Sequence, residues 1–140
     1  MLKTGPILKT GKVEWRVELP ATVEAIDRFC VDFQIWREEH CAGLEAFAAE
    51  LLLREALANS VVHGCGEDPA KTVSCLLRAR ARGLLIAVSD AGNGFDWRLA
   101  SGRRVRADAV GGRGIEILRL YSDAIRFNSK GNAVALVKRY

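Results

Sequence analysis

The stretch from Leu44 to Gly64 reads LEAFAAELLLREALANSVVHG. Its apolar residues, Leu51, Leu52, Leu53, Ala56, Leu57, Ala58, Val61 and Val62 among them, recur at helical intervals, which predicts a helix from about Leu44 to His63. Gly64 then stands where a C-terminal cap belongs. Within this helix Glu55, Asn59 and His63 are four apart, so a carboxylate, an amide and an imidazole line one edge. Polar groups in so apolar a helix need partners, because a buried unpaired one costs about 1–3 kcal/mol. A metal ion or a phosphate-bearing ligand is one such partner; solvent is another, if that edge faces outward.

Downstream, two strands are expected at about Thr72–Arg80 and Leu84–Ser89, joined by Ala81-Arg82-Gly83. The second runs into Ser89-Asp90-Ala91-Gly92-Asn93-Gly94. A carboxylate at a strand end can accept a hydrogen bond from a base amino group, and Gly92 and Gly94 let backbone approach a flat ligand closely. The same residues also suit a plain tight turn. After an Arg-rich stretch to Val110, Gly111-Gly112-Arg113-Gly114 leads directly into Ile115-Glu-Ile-Leu118. A glycine-rich loop opening a helix gathers unpaired N–H groups and the positive dipole end, a natural phosphate cradle; a hinge before a helix has the same composition. That helix ends near Tyr121. Two strands, about Ala124–Asn128 and Ala133–Lys138, flank a turn at Ser129–Asn132.

Upstream, Val13–Leu19 alternates apolar and polar, reading as a half-buried strand ended by Pro20. Thr22 suits the N-cap of a helix reaching about His40, with Ile26, Phe29, Cys30 and Phe33 on one stripe. The order strand, helix, helix, strand, strand, helix, strand, strand points to an α/β sandwich of the α+β class. A mixed, mostly antiparallel sheet would be covered by helices on one face. No repeat, low-complexity tract or linker divides residues 1–140, so a single domain is expected.

Composition narrows the classes further. A 140-residue chain that is 49% hydrophobic and 27% charged can build its own core without disulfides. Cys30, Cys41, Cys65 and Cys75 form no C-x-x-C pair and, with His40 and His63, fit no standard zinc spacing; they read as buried thiols in a reducing cytoplasm. Thr4, Gly5 and Pro6 break up any leader, and no apolar run nears the ~18 residues of a membrane span, so neither secretion nor a membrane is expected. The net charge of +4 is dispersed except at Arg78/Arg80/Arg82 and Arg103/Arg104/Arg106. The first trio alternates along a strand and reads as a solvated sheet edge, so nucleic acid is not the expected partner. There is no P-loop, no G-x-G-x-x-G, and no protein-kinase H-R-D or D-F-G element.

E-x-x-x-N on a helix, D-x-G-x-G after a strand and G-x-G opening a helix, in that order, resemble the GHKL ATPases. That superfamily includes gyrase, the ninety-kilodalton chaperones, histidine kinases and mismatch-repair MutL. The short length, the run from Arg54 to Gly64 and the brief segment between the glycine motifs resemble the anti-sigma-factor serine kinases within it. The resemblance covers roughly Ala42 to the C-terminus and, more loosely, the first strand and helix. It implies the Bergerat ATP-binding fold with ATP and Mg²⁺ as ligands. Asn59 would be the protein ligand to the metal, and Asp90 the acceptor for the adenine amino group, with Gly92 and Gly94 at the base pocket. Gly112, Arg113 and Gly114 would meet the phosphates, and Glu55 would be the general base. The segment from about Asp96 to Gly111 would form a lid, with Arg103, Arg104, Arg106 or Arg113 reaching the γ-phosphate. Many relatives carry a threonine after the glycine that precedes the last strand; here Gly131 is followed by Asn132, which can both donate and accept.

The resemblance implies a cytoplasmic protein kinase that phosphorylates a serine of an anti-anti-sigma antagonist and otherwise sequesters a sigma factor. A homodimer is implied too, with the first strand as a plausible interface. The competing reading keeps the same pocket but makes ATP a conformational ligand that creates a partner surface, with little phosphoryl transfer.

Overall fold

The computed structural model describes residues 7–9, 12–91 and 112–140. Six strands form one sheet in the order β1-β2-β3-β4-β6-β5. They are β1 (Ile7–Lys9), β2 (Lys12–Pro20), β3 (Thr72–Arg80), β4 (Gly83–Asp90), β5 (Ala124–Phe127) and β6 (Ala133–Arg139). The helices are α1 (Val23–His40), α2 (Ala46–Ala58) and α3 (Gly112–Tyr121), and a π-helical segment, Asn59–Gly64, continues α2. Every strand pairing among the described residues is antiparallel, so the mixed sheet expected from sequence is in fact uniform. The two-residue connection between β3 and β4 makes Gly83 the first residue of a strand rather than part of the turn.

Alternation builds the core. The register aligns Trp15, Leu77, Ile86, Leu136 and Ile125 in one row across the sheet, and Val17, Cys75, Val88, Val134 and Phe127 in the next. These rows face the helices, and most of their members are buried. Helix α1 starts where Thr22 Oγ1 accepts from the Ala25 amide at 3.1 Å, as its sequence predicts. Its stripe of Ile26, Phe29, Phe33 and Trp36 packs on β2, with the Trp15 and Phe29 rings 5.2 Å apart, edge to face. Helix α2 is nearly all core on one side, Leu52, Leu53, Ala56 and Leu57 having no exposure. Ile115 and Leu118 seat α3 in the same core.

The opposite face carries Glu14, Arg16, Glu18, Ser74, Arg78 and Arg80. Arg78 therefore lies on a central strand, paired to Glu14 at 2.7 Å, and the sheet-edge reading gives way to an open-face one for Arg78 and Arg80, while Arg82 lies in the turn before β4. On its other side β2 pairs with β1 over its first three residues, Lys12–Glu14. Three residues are too few for alternation to announce β1. All four cysteines are free and buried. Burial pushes the Cys30 and Cys41 thiols up to about 11. No helix among the described residues is long and apolar enough to cross a membrane.

Candidate functional site

Helix α2 is braced before it delivers its polar residues. Arg54 reaches Asp27 of α1 at 2.6 Å and Glu50 one turn back at 3.0 Å, while Gln34 of α1 donates to the Ala46 carbonyl at 3.0 Å. Glu55 and Asn59 follow on the side turned toward α3. The end of this helix differs from the expectation. From Asn59 it widens into π geometry, the Cys65 amide donating to the Ser60 carbonyl at 2.9 Å. The chain then leaves through Gly66 and Glu67, both at positive φ, so the left-handed exit falls at Gly66 rather than Gly64. Single π turns recur at functional sites because they shift side chains off the α-helical register. Here the widened turn begins at the residue assigned to the metal.

Asn59 is 6% exposed, and its Nδ2 has no hydrogen-bond partner among the described residues. A buried amide nitrogen in that condition is a donor awaiting an acceptor, or a standing cost of about 1–3 kcal/mol. Glu55, half-buried, has its carboxyl raised above the ordinary range by desolvation. Gly114, in the first turn of α3, is pressed against both: a Cβ there would lie 2.9 Å from Glu55 Oε2 and 3.4 Å from Asn59 Oδ1. Glycine lets the start of α3 come this near without displacing the Glu55 carboxylate. Carboxylate, amide and helix N-terminus thus share one small region.

Asp90 reaches the same side of the sheet by parity. Leu84, Ile86 and Val88 of β4 face the helices, and two residues on, so does Asp90, in register with Val73 and beyond it Leu19. There its carboxylate meets the π segment. A Cβ on Gly64 would stand 2.5 Å from Oδ1 and closer still to Cγ and Oδ2. Reading Gly64 as a cap missed this role, because the constraint is tertiary. The main chain of Asp90 is tied to Asn132 twice: the Asp90 amide donates to the Asn132 carbonyl, and Asn132 Nδ2 donates to the Asp90 carbonyl, both at 3.0 Å. The departure from threonine therefore still serves Asp90, through its backbone.

The structure brings Glu55, Asn59, Asp90 and Gly114 onto the helix side of the sheet, with Gly112 and Arg113 opening α3. Gly92, Gly94, the lid from Asp96 to Gly111, and Arg103, Arg104 and Arg106 lie outside the described residues, as does the side chain of Arg113. His63 closes the π segment, half-buried. Among the described residues no three His, Cys, Asp or Glu gather as a metal cage. A magnesium ion suits such a site, since it keeps several waters and takes one or two protein ligands beside phosphate oxygens. Asn59 is the group available to it: its Oδ1, beside the cradle that a Cβ on Gly114 would fill, is the atom a magnesium ion would take, and its orphaned Nδ2 can donate to a phosphate oxygen.

Residues 19–138 match the family model described as histidine kinase-like ATPase domain. No curated protein matches the chain.

Proposed function

The chain belongs to the histidine kinase-like ATPase family, and from that premise we propose that it is a protein-serine kinase acting as an anti-sigma factor. The family assignment supports an ATP-binding module of the GHKL type. The finer reading has ATP·Mg²⁺ as phosphoryl donor and a serine of an anti-anti-sigma antagonist as acceptor. The sigma factor is held when the antagonist is absent, and the working unit is a homodimer.

The observation that carries the reading is the packing of Gly114 on Glu55 and Asn59. It draws Glu55, Asn59 and the start of α3 together, which supports reading them as proton acceptor, metal ligand and phosphate cradle. In the transfer the serine oxygen bonds to the γ-phosphorus, the bond from that phosphorus to the ADP oxygen breaks, and the hydroxyl proton passes to a Glu55 carboxylate oxygen. Burial favours this role, because a carboxylate with raised proton affinity is a better base near neutral pH. Magnesium, when bound, neutralises charge on the phosphates. The chain's own contribution is position: α2 fixed to α1 through Arg54, and α3 admitted by Gly114.

The test is single-turnover transfer from γ-labelled ATP with Mg²⁺ to an antagonist domain encoded beside this chain. Label on serine, lost in Glu55→Ala while ATP still binds, supports the kinase. Partner binding that a non-hydrolysable analogue supports fully, without phosphoserine, replaces it with the ATP-gated binding module.

A further inference from the structure

The turn between β5 and β6 is organised by two asparagines. Asn128 Oδ1 accepts from the amides of Gly131 at 2.8 Å, Asn132 at 3.0 Å and Ala133 at 3.2 Å. Gly131 sits at φ 82°, which lets the chain turn back under that oxygen. Asn128 Nδ2 then donates to Asn132 Oδ1 at 2.6 Å, and Asn132 Nδ2 donates to the Asp90 carbonyl at 3.0 Å. The Asp90 amide returns a bond to the Asn132 carbonyl. The ladder between β4 and β6 runs down to Ser89 opposite Ala133, and these bonds extend it by one residue on each strand.

Asp90 is the last residue of β4 and is paired with Val73 of β3 on one side only; the asparagine bonds supply the other side. With them, its main chain is held by two bonds to a turn that is itself fixed by four more. The carboxylate is simultaneously confined from the helix side by Gly64. A carboxylate that discriminates one base from another must be held to a fraction of an ångström, because a hydrogen bond weakens steeply off line.

We propose that Asn132, braced by Asn128, is a positioning residue for base selection: it sets where the Asp90 carboxylate stands, and thereby how sharply the pocket separates adenine from a 6-oxopurine. The proposal rests on the reading of Asp90 as the acceptor for the adenine amino group. Asn132 acts through the backbone of Asp90, so its loss alters selectivity rather than removing the acceptor.

The experiment measures dissociation constants for ATP and for inosine triphosphate, which bears a carbonyl where adenine bears its amino group, on the full chain with Mg²⁺. Wild type favours ATP. Asn132→Ala narrows the ratio about tenfold, the size of one hydrogen bond to a charged group, mainly by weakening ATP. Asn128→Asp keeps an oxygen that caps the turn but sets a carboxylate oxygen against Asn132 Oδ1 where a donor stood, so it displaces Asn132 and narrows the ratio in the same direction; should Asn132→Ala fail to fold, this variant decides. Asp90→Asn separates the two layers. If it collapses the ratio while both asparagine variants keep it, the positioning role is overturned and the Asp90 reading stands. If it leaves the ratio unchanged, the reading of Asp90 falls, and the proposal with it. Equal weakening of both nucleotides in Asn132→Ala and Asn128→Asp reduces the pair to a structural turn and also overturns the proposal.

Discussion

Gly64 and Asp90 are in such close contact that the carboxylate occupies the space where any other residue at 64 would place its Cβ. The backbone of Gly64 is outside the left-handed region, since among the described glycines only Gly66 and Gly131 have positive φ. Its lack of a side chain therefore serves Asp90 and not the turn of the chain.

Gly64→Ala follows directly. Alanine suits the helical backbone better than glycine by about 1 kcal/mol, so secondary structure is not weakened by the change. The methyl group instead displaces the carboxylate, at an overpacking cost of about 1–3 kcal/mol. ATP affinity should fall roughly 5- to 100-fold, which calorimetry would measure. Wild-type affinity in the variant would mean that Asp90 does not hold the nucleotide where this contact places it.

Gly114→Ala probes the other end of the site. A methyl 2.9 Å from Glu55 Oε2 forces α3 or the carboxylate to move, although Ile115 and Leu118 keep the helix anchored in the core. The fold should persist by circular dichroism. On the proposed reading, phosphoryl transfer should drop by about tenfold or more, because displacing a helix turn that meets the phosphates by even 1 Å misplaces the reacting groups. Transfer at the wild-type rate would remove the start of α3 from the reaction.

Asn59→Ala separates a ligand group from a structural one. The wild-type amide is buried with its nitrogen unpartnered among the described residues, so deleting it removes an unpaired polar group and opens only a small space. The unliganded protein should melt at or above the wild-type temperature. ATP binding should lose its dependence on Mg²⁺, giving the same dissociation constant with magnesium as with EDTA. A large drop in melting temperature together with retained magnesium dependence would make Asn59 a core amide.

The fold was legible wherever one local rule sufficed. Alternation gave β2, helical spacing gave α2, and Thr22 announced the start of α1. The site was legible in its residue types, because a carboxylate and an amide four apart on an apolar helix must share a face. What escaped was tertiary. A π turn leaves no trace in a 3.6-residue pattern, so the widening at Asn59 and the exit at Gly66 were invisible. Gly64 looked like a cap because caps are common at that position, whereas its constraint comes from Asp90, 26 positions later in the chain. Asn132 read as a departure from a family residue until its amide was found on the Asp90 carbonyl.

Glu55 gives both rate and stability a component that depends on pH. Desolvation raises its proton affinity in the folded chain above the unfolded value. A group raised on folding contributes stability that is fully present below its unfolded pKa and is lost as pH climbs through the folded one. The contribution of Glu55 to stability should therefore decline as pH rises from about 4.5 toward neutrality, so that Glu55→Gln, which carries no charge to desolvate, gains stability relative to wild type over that range. On the proposed kinase reading the rate runs the other way, because only a deprotonated carboxylate can accept a hydroxyl proton. The acid limb of kcat should lie above the ordinary carboxylate range, rising as Glu55 ionises. In Glu55→Gln transfer should fall by about a hundredfold or more, while the dissociation constant for ATP changes little. An acid limb that survives in Glu55→Gln would assign it to another group, and stability curves that coincide for the two proteins from pH 4 to 8 would show that burial of this carboxylate has no hold on folding.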